Sequence, residues 1–340
     1  MLAAMEYFSL NSARVSRIGL GTWAIGGSEW GEVSESDAVA TCLAVFEHGM
    51  NLIDTAPIYG YGRAEEIIGK AMRQHGRRED FYLATKAGLE WTDGGVFANS
   101  EPARLRQEFE DSMRRLGTEY IDLYQIHWPD TTLPVERAAE VLLGLYEEGR
   151  IRAIGVSNFS AKQMEEFQSV APLHSDQPPY NLFERAIDDE VLPYCREHGI
   201  AVLTYSSLCR SLLAGRLTTD MEFAEGDIRR VDPKFQQPRF GQYLEAVERL
   251  KEFAWEHYGK TVLELAARWV LDRPGVSAAL WGAKRPEQLA AVDGIFGWKL
   301  DDVAMAAMDA TVQDAVKDPV GPEYLTPEKK ARAGANQRGL

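Results

Sequence analysis

Apolar residues follow two alternating rhythms along this chain. Short runs such as 51–54, 81–86 and 121–127 are apolar almost throughout and stop abruptly at polar residues, as strands buried on both faces do. Between them, apolar positions recur three and four apart, the spacing of helices with one buried face. The pattern predicts strands over 17–24, 51–54, 81–86, 121–127, 151–157, 173–177, 200–206 and 276–281. It predicts helices over 34–48, 63–75, 102–116, 134–148, 161–170, 188–198, 243–258, 261–272, 286–295 and 301–315. Leu105, Phe109, Met113 and Leu116 keep the helical period closely, and Ser34 and Ser36 are cap candidates. Residues 5–19 alternate loosely around Asn11-Ser12, a hairpin able to plug one end of a barrel. The glycine-rich stretch 88–98, the segment 208–238 and the tail from Lys317 read as loops.

Strands alternating with helices predict an α/β chain closed as a (β/α)8 TIM barrel, with an N-terminal β-hairpin and extra C-terminal helices. The doubly wound alternative lacks its G-x-G-x-x-G turn, since Gly19, Gly21, Gly26 and Gly27 have the wrong spacing. Residues 1–340 are read as one domain, with a core over about 15–300 and a tail over 317–340.

Composition narrows the function classes. Three cysteines (Cys42, Cys195, Cys209) form no disulfide framework and no zinc spacing, so a reducing, cytoplasmic setting is expected and no metal. No basic segment followed by an apolar stretch opens the chain, and no apolar run is long enough to span a bilayer. A net charge of −15 argues against nucleic acid. On so acidic a chain, a site for a phosphate-bearing cofactor must be locally basic or rich in backbone N–H groups.

Where three successive strands stop, an acid (Asp54), a phenol (Tyr59), an amine (Lys86) and an imidazole (His127) stand in turn. In a parallel barrel these strand ends share one rim, where active sites lie. An ammonium within reach of a phenol favours the phenolate and lowers the phenol's pKa, while a buried ammonium needs a carboxylate to stay charged. So Asp54 is expected to hold Lys86 charged and Lys86 to acidify Tyr59. Tyr59 then protonates a developing alkoxide, while His127 polarises the same oxygen. A reaction that wants an acid and no nucleophile is carbonyl reduction by hydride, and side chains carry no hydride, so a nicotinamide cofactor is implied.

Several motifs carry a specific resemblance: N-L-I-D-T-A-P-I-Y-G (51–60), A-T-K (84–86), Y-Q-I-H-W (124–128), I-R-A-I-G-V-S-N-F (151–159), Q-P-P-Y-N (177–181) and L-W-G-A-K-R-P-E-Q-L (280–289). Over about 15–300 the chain resembles the aldo-keto reductases. The resemblance implies a catalytic tetrad of Asp54, Tyr59, Lys86 and His127, with Tyr59 as general acid. It places Ser157, Asn158 and Gln177 on the nicotinamide carboxamide and Tyr205 against its ring. Gly21, Thr22, Trp23, Ser206, Leu208 and Arg210 are expected along the cofactor. The family usually shows Tyr-Ser-Pro-Leu and a glycine where this chain has Tyr205-Ser206-Ser207-Leu208-Cys209. Gly282, Ala283, Lys284, Arg285 and Gln288 precede or open the helix that Pro286 begins. Two adjacent cations at a helix start oppose its dipole unless an anion sits between them. That points to a 2′-phosphate, hence NADP(H), with Lys284 foremost.

Trp23, Trp91 and Trp128 follow strands and Trp30 lies in the first loop; all four are expected, with Tyr59 and His127, around the substrate, a small carbonyl compound or a sugar. Trp255, Trp269 and Trp298 read as packing. Segment 208–238 is a candidate lid or dimer contact, and residues 318–324 are a candidate to cover the rim. The leading expectation is an NADP(H)-dependent aldehyde or ketone reductase, monomeric or weakly homo-oligomeric. A sugar or polyol dehydrogenase using the same tetrad, or an NADP(H)-sensing regulatory subunit, are the alternatives.

Overall fold

The structure, a computed structural model, describes residues 5–27, 29–93 and 95–327. Eight parallel strands close into a barrel in chain order: Ile18–Gly21, Leu52–Asp54, Tyr82–Ala87, Leu123–Ile126, Ile154–Ser157, Ser175–Gln177, Ala201–Thr204 and Val276–Gly282. Closure comes from the last strand pairing with the first, Gly282 opposite Gly21. The hairpin predicted over 5–19 forms from Tyr7–Leu10 and Ala13–Ser16. Asn11 and Ser12 both take φ > 0 (44° and 71°), which a two-residue turn between twisted strands requires.

Period-2 alternation divides the apolar residues into two cores. Leu52, Tyr82, Ala84, Leu123, Ala153, Leu203, Ala278 and Leu280 fill the barrel, with Leu10 and Val15 of the hairpin packed against them as a plug. Their neighbours along the strands, among them Ile18, Leu20, Ile53, Leu83, Tyr124, Ile126, Ile154 and Val156, face outward into the larger helix-lined core. Moving two residues toward the carboxyl end from this inner apolar layer, the inward positions become Asp54, Lys86, Gln125 and Tyr205. The barrel is therefore greasy at its base and polar at its mouth. Gly155 makes that layer possible: a Cβ there would lie 2.5 Å from Ser175 Oγ and 2.8 Å from Gln125 Cγ.

The helices match the predicted spans most closely where a local residue marks an end. Pro102–Leu116 begins on its proline and ends on left-handed Gly117, and Arg63–His75 ends on left-handed Gly76. Val262–Asp272 starts on a capping box between Thr261 and Glu264.

Several expectations need correction. The first strand stops at Gly21 rather than Ala24, because Trp23–Gly26 forms a helical turn. The stretch 88–98 is a second hairpin, Leu89–Thr92 with Gly95–Ala98. Helix 243–258 begins earlier, as Arg239–Tyr258, and 286–295 is a 3-10 helix, Pro286–Gly294. Segment 208–238 contains three short 3-10 turns. Of the tail, residues 317–327 are described and include the turn Glu323–Leu325, while 328–340 lie outside the described residues. Among the described residues no helix is long and apolar enough to cross a membrane.

Candidate active site

The mouth of the barrel gathers the four groups predicted from the strand ends. Lys86 Nζ lies 2.6 Å from Asp54 Oδ2, 3.0 Å from the Thr55 carbonyl and 3.3 Å from Tyr59 Oη. The His127 ring meets the Tyr59 ring edge-on, with centroids 5.8 Å apart. Lys86 is fully buried and Asp54 is 2 % exposed, so nothing but protein screens this pair. Asp54 Oδ1 is held in turn by Gln177 Nε2 at 2.8 Å and Gln125 Nε2 at 3.3 Å.

Local chain geometry fixes Tyr59. The loops after the first two strands touch backbone to backbone: a Cβ on Gly26 would lie 2.6 Å from the Tyr59 carbonyl carbon, and one on Gly60 would lie 2.3 Å from the Gly26 oxygen. Only glycine at both positions allows this approach. Thr22 clamps the same junction, its amide and hydroxyl both donating to the Asp54 carbonyl at 3.0 and 2.9 Å.

The electrostatics depart from the expectation in one respect. Burial, with the Asp54 and Glu29 carboxylates, pushes the Tyr59 phenol well above its ordinary range. The Lys86 ammonium, 3.3 Å from the phenol, favours the phenolate, but burial and the two carboxylates outweigh it and the net shift is upward. Burial also lowers the Lys86 ammonium from its usual range, an effect that Asp54 and, more weakly, Glu65 oppose. Burial and the Lys86 charge drive the His127 imidazole well below its usual value, so it stands neutral. The site thus holds a protonated phenol and a neutral imidazole beside an ammonium whose charge depends on Asp54.

Two cavities meet at Tyr59. One is a groove lined by Gly21, Thr22, Trp23, Trp30, Asp54, Tyr59, Gln177, Tyr205, Ser206, Leu208, Arg210, Gly282, Ala283, Lys284 and Gln288, together with Ser207 and Ser211. The other is bounded by Trp23, Tyr59, His127, Trp128, Ser157, Asn158, Gln177 and Tyr205, with Glu29, Leu89, Val96, Ile228 and Tyr324 to Pro327. Asn158, itself at φ 63°, is engaged on every side. Its Nδ2 donates to the His127 carbonyl and to Ser157 Oγ, each at 3.0 Å, and its Oδ1 accepts from Tyr205 Oη at 2.9 Å.

The model of the aldo/keto reductase family matches residues 17–313. The chain belongs to that family. It is 50 % identical over 325 residues to the aldo-keto reductase YhdN of Bacillus subtilis, covering 95 % of this chain and 98 % of that one. It is 36 % identical to the NADH-specific methylglyoxal reductase of Escherichia coli, over 81 % of this chain and 88 % of that protein. Among solved structures, the glycerol dehydrogenase AKR11B4 from Gluconobacter oxydans superposes with a TM-score of 0.85 at 46 % identity, covering 94 % of this chain and 98 % of that one. Members of the family are oxidoreductases that use nicotinamide cofactors.

The groove fits such a cofactor. Arg210 is buried, and its Nε and Nη2 have no hydrogen-bond partner among the described residues; the same is true of Trp30 Nε1. Unpaired buried N–H groups beside a cation suit a phosphate anion. Arg210 sits between acids: Glu184 lies 3.0 Å away and Asp232 3.5 Å, and despite its burial these carboxylates hold the guanidinium above its usual value. Lys284 reaches across the groove to the Trp30 carbonyl, and Gln288 Oε1 accepts from the amides of Lys284 and Arg285 at 2.7 and 3.1 Å. Burial and the nearby Arg229 lower the Lys284 ammonium.

Not every predicted residue falls where it was expected. Arg285 is exposed and does not line the groove. Trp30 borders the groove rather than the cavity beside His127. Trp91 lies on the second hairpin with its ring 5.7 Å from that of Tyr61, and Leu89 and Val96 of that hairpin line the cavity instead. Trp255 is 72 % exposed and packs little, whereas Trp269 is fully buried and the Trp298 ring packs at a tilt on Tyr258, centroids 5.0 Å apart.

Residues that sequence reasoning missed come from distant segments. Gln125 sits inside the quoted Y-Q-I-H-W motif, and strand alternation alone would have turned it inward with Lys86, its register partner. Glu29, Ile228 and Leu325 have no such signal, because loop packing brings them in. The tail is held over the mouth by Tyr324 Oη donating to Asp232 Oδ2 at 3.0 Å and Lys234 Nζ donating to the Gly321 carbonyl at 3.1 Å.

Proposed function

We propose that this chain is an NADP(H)-dependent reductase of aldehydes and ketones, with Asp54, Tyr59, Lys86 and His127 as its catalytic groups. The observation that carries the reading is the Asp54–Lys86–Tyr59 chain of contacts at the point where the two cavities join. The bound cofactor supplies the hydride. Tyr59, protonated at rest, hands its proton to the carbonyl oxygen as negative charge develops there. The phenolate left behind faces the Lys86 ammonium at 3.3 Å, so the ion pair forms as the reaction proceeds. Neutral His127 offers its single N–H to the same oxygen, and its neutrality leaves proton delivery to Tyr59. Gln177 and Tyr205, which border both cavities, and Ser157 and Asn158, which border the one beside His127, would orient the cofactor's amide end.

The cofactor preference rests on Lys284. Family membership leaves it open, since the Escherichia coli relative is named for NADH. An ammonium at the groove edge with a neighbouring Gln288 supports a 2′-phosphate, with Arg210 and Trp30 serving the phosphates nearer the barrel. A polyol dehydrogenase reading draws support from the name of the Gluconobacter oxydans structure. The same proton path serves it in reverse.

The test is NADPH oxidation by the purified chain across aldehydes, ketones and sugars, repeated with Tyr59→Phe. Turnover is expected to fall by about two or more orders of magnitude in the variant with NADPH affinity kept. Turnover unchanged by Tyr59→Phe sinks the assignment.

A further inference from the structure

One acidic group on the wall of the cavity beside His127 neither gives nor takes the proton of the reaction. Glu29 lies in the loop after the first barrel strand and borders that cavity with Tyr59 and His127. Its Oε2 accepts from Trp23 Nε1 at 2.5 Å, and it makes no ion pair and no second side-chain hydrogen bond among the described residues. Much of the surrounding wall is apolar: Ile58, Leu89, Val96, Trp128, Ile228 and Leu325. A carboxylate in such a wall is costly unless something hydrogen-bonds it. Burial accordingly raises its pKa, with the Trp23 N–H opposing. An indole N–H needs only one acceptor, and a neutral amide or a backbone carbonyl would satisfy it. The loop's seat on its neighbour comes from the Glu29 main chain, whose carbonyl accepts from the Ile228 amide at 3.2 Å. The second carboxylate oxygen is thus left over, close enough to the site for its charge to act on Tyr59.

We infer that Glu29 is a specificity residue that accepts a hydrogen bond from a hydroxyl on the carbon chain next to the reacting carbonyl. It selects hydroxyaldehydes and hydroxyketones over apolar carbonyl compounds of the same size. The inference rests on the carbonyl-reductase reading and adds its substrate class. A pocket built to hold a hydroxyl discriminates against the analogue lacking it, because the acceptor is then buried unpaired.

The experiment compares kcat/KM for glyceraldehyde and for propanal, with NADPH, in the wild type, Glu29→Gln and Glu29→Leu. The wild type is expected to favour glyceraldehyde by about tenfold or more. Glu29→Leu is expected to lower that ratio about tenfold or more, through KM for glyceraldehyde, with propanal turned over at least as well as before. Glu29→Gln keeps the shape, the bond to Trp23 and an uncharged acceptor. It should lose roughly threefold of the ratio, since a charge-assisted bond is about twice as strong as a neutral one. It carries the test if the leucine variant folds poorly. A ratio unchanged in both variants overturns the inference while leaving the reductase reading intact. So does an equal loss for both substrates, which would make Glu29 a support for Trp23 only. A wild type that reduces no carbonyl compound overturns the reductase reading itself, and the inference with it.

Discussion

Asp54→Asn separates the charge of Lys86 from its position. The substitution keeps the side-chain shape and leaves an oxygen to accept from Gln177 and Gln125, so the polar layer stays assembled. It removes the negative partner 2.6 Å from an ammonium with no exposure to solvent. Removing one member of such a buried pair costs about 3–5 kcal/mol, and the retained hydrogen bonds place this variant near the lower end. Two opposed effects then act on Tyr59. The Asp54 charge raises the phenol's pKa, so deleting it alone would make Tyr59 a better acid. Asp54 also opposes the fall in the Lys86 pKa caused by burial, so deleting it lets the lysine lose its proton. The second effect is expected to win, because a fully buried ammonium left with the Thr55 carbonyl, a phenol and the weaker pull of Glu65 is poorly solvated. Turnover should then fall by about two orders of magnitude or more, the usual loss when one electrostatic stabiliser is removed.

Urea denaturation followed by tryptophan fluorescence measures the stability part, and single-turnover NADPH oxidation measures the chemical part. A double replacement, Asp54→Leu with Lys86→Met, gives the comparison for stability. It should be no less stable than Asp54→Asn, since an apolar pair strands no charge. Turnover at or above wild type, with stability within about 0.5 kcal/mol, would refute the reasoning, because it would mean that Lys86 needs no carboxylate to stay charged.

Three further outcomes are expected. Lys284→Ala should raise Kd for NADPH far more than for NADH in a fluorescence titration, and equal losses would place the 2′-phosphate elsewhere. Asp176 is fully buried, and burial pushes its carboxyl up to about 8, with the Gln177 and Phe159 main chain only partly opposing. Unfolded, the same carboxyl titrates near about 4. The folded chain therefore keeps a proton that the unfolded chain releases, and stability drains away as pH rises between those values. Asp176→Asn should flatten that slope, giving a higher urea midpoint than wild type at about pH 9 and little difference at about pH 4; parallel pH curves would count against it. Ser211 sits at φ 72° in a loop where Ser206, Cys209 and Arg210 are also left-handed. Ser211→Gly should relieve about 1 kcal/mol of strain, visible as a raised melting temperature of the cofactor-free chain. A lowered one would show that the Ser211 side chain makes a contact worth more than the strain.

The sequence determined the elements and their order, because each is specified locally. Pro102 and Gly117 bracket one helix, the Thr261–Glu264 box opens another, and runs such as Leu52–Asp54 are apolar on both faces. That order, with the doubly wound sheet's glycine turn missing, favoured a barrel, and the pairing of the last strand with the first closes it. The four strand-end groups were legible for the same reason: in a parallel barrel, every strand delivers its last residues to one rim. What remained hidden depends on contacts between distant segments. Tertiary packing alone decided that Glu29 stands on the cavity wall, that Arg210 is buried between Glu184 and Asp232, and that the tail lays Tyr324 and Leu325 across the mouth. It also decided the sign of the Tyr59 shift. Spacing along the chain says that a lysine and a phenol will meet, but burial and the charges around them set which proton is held, and those are properties of the folded interior.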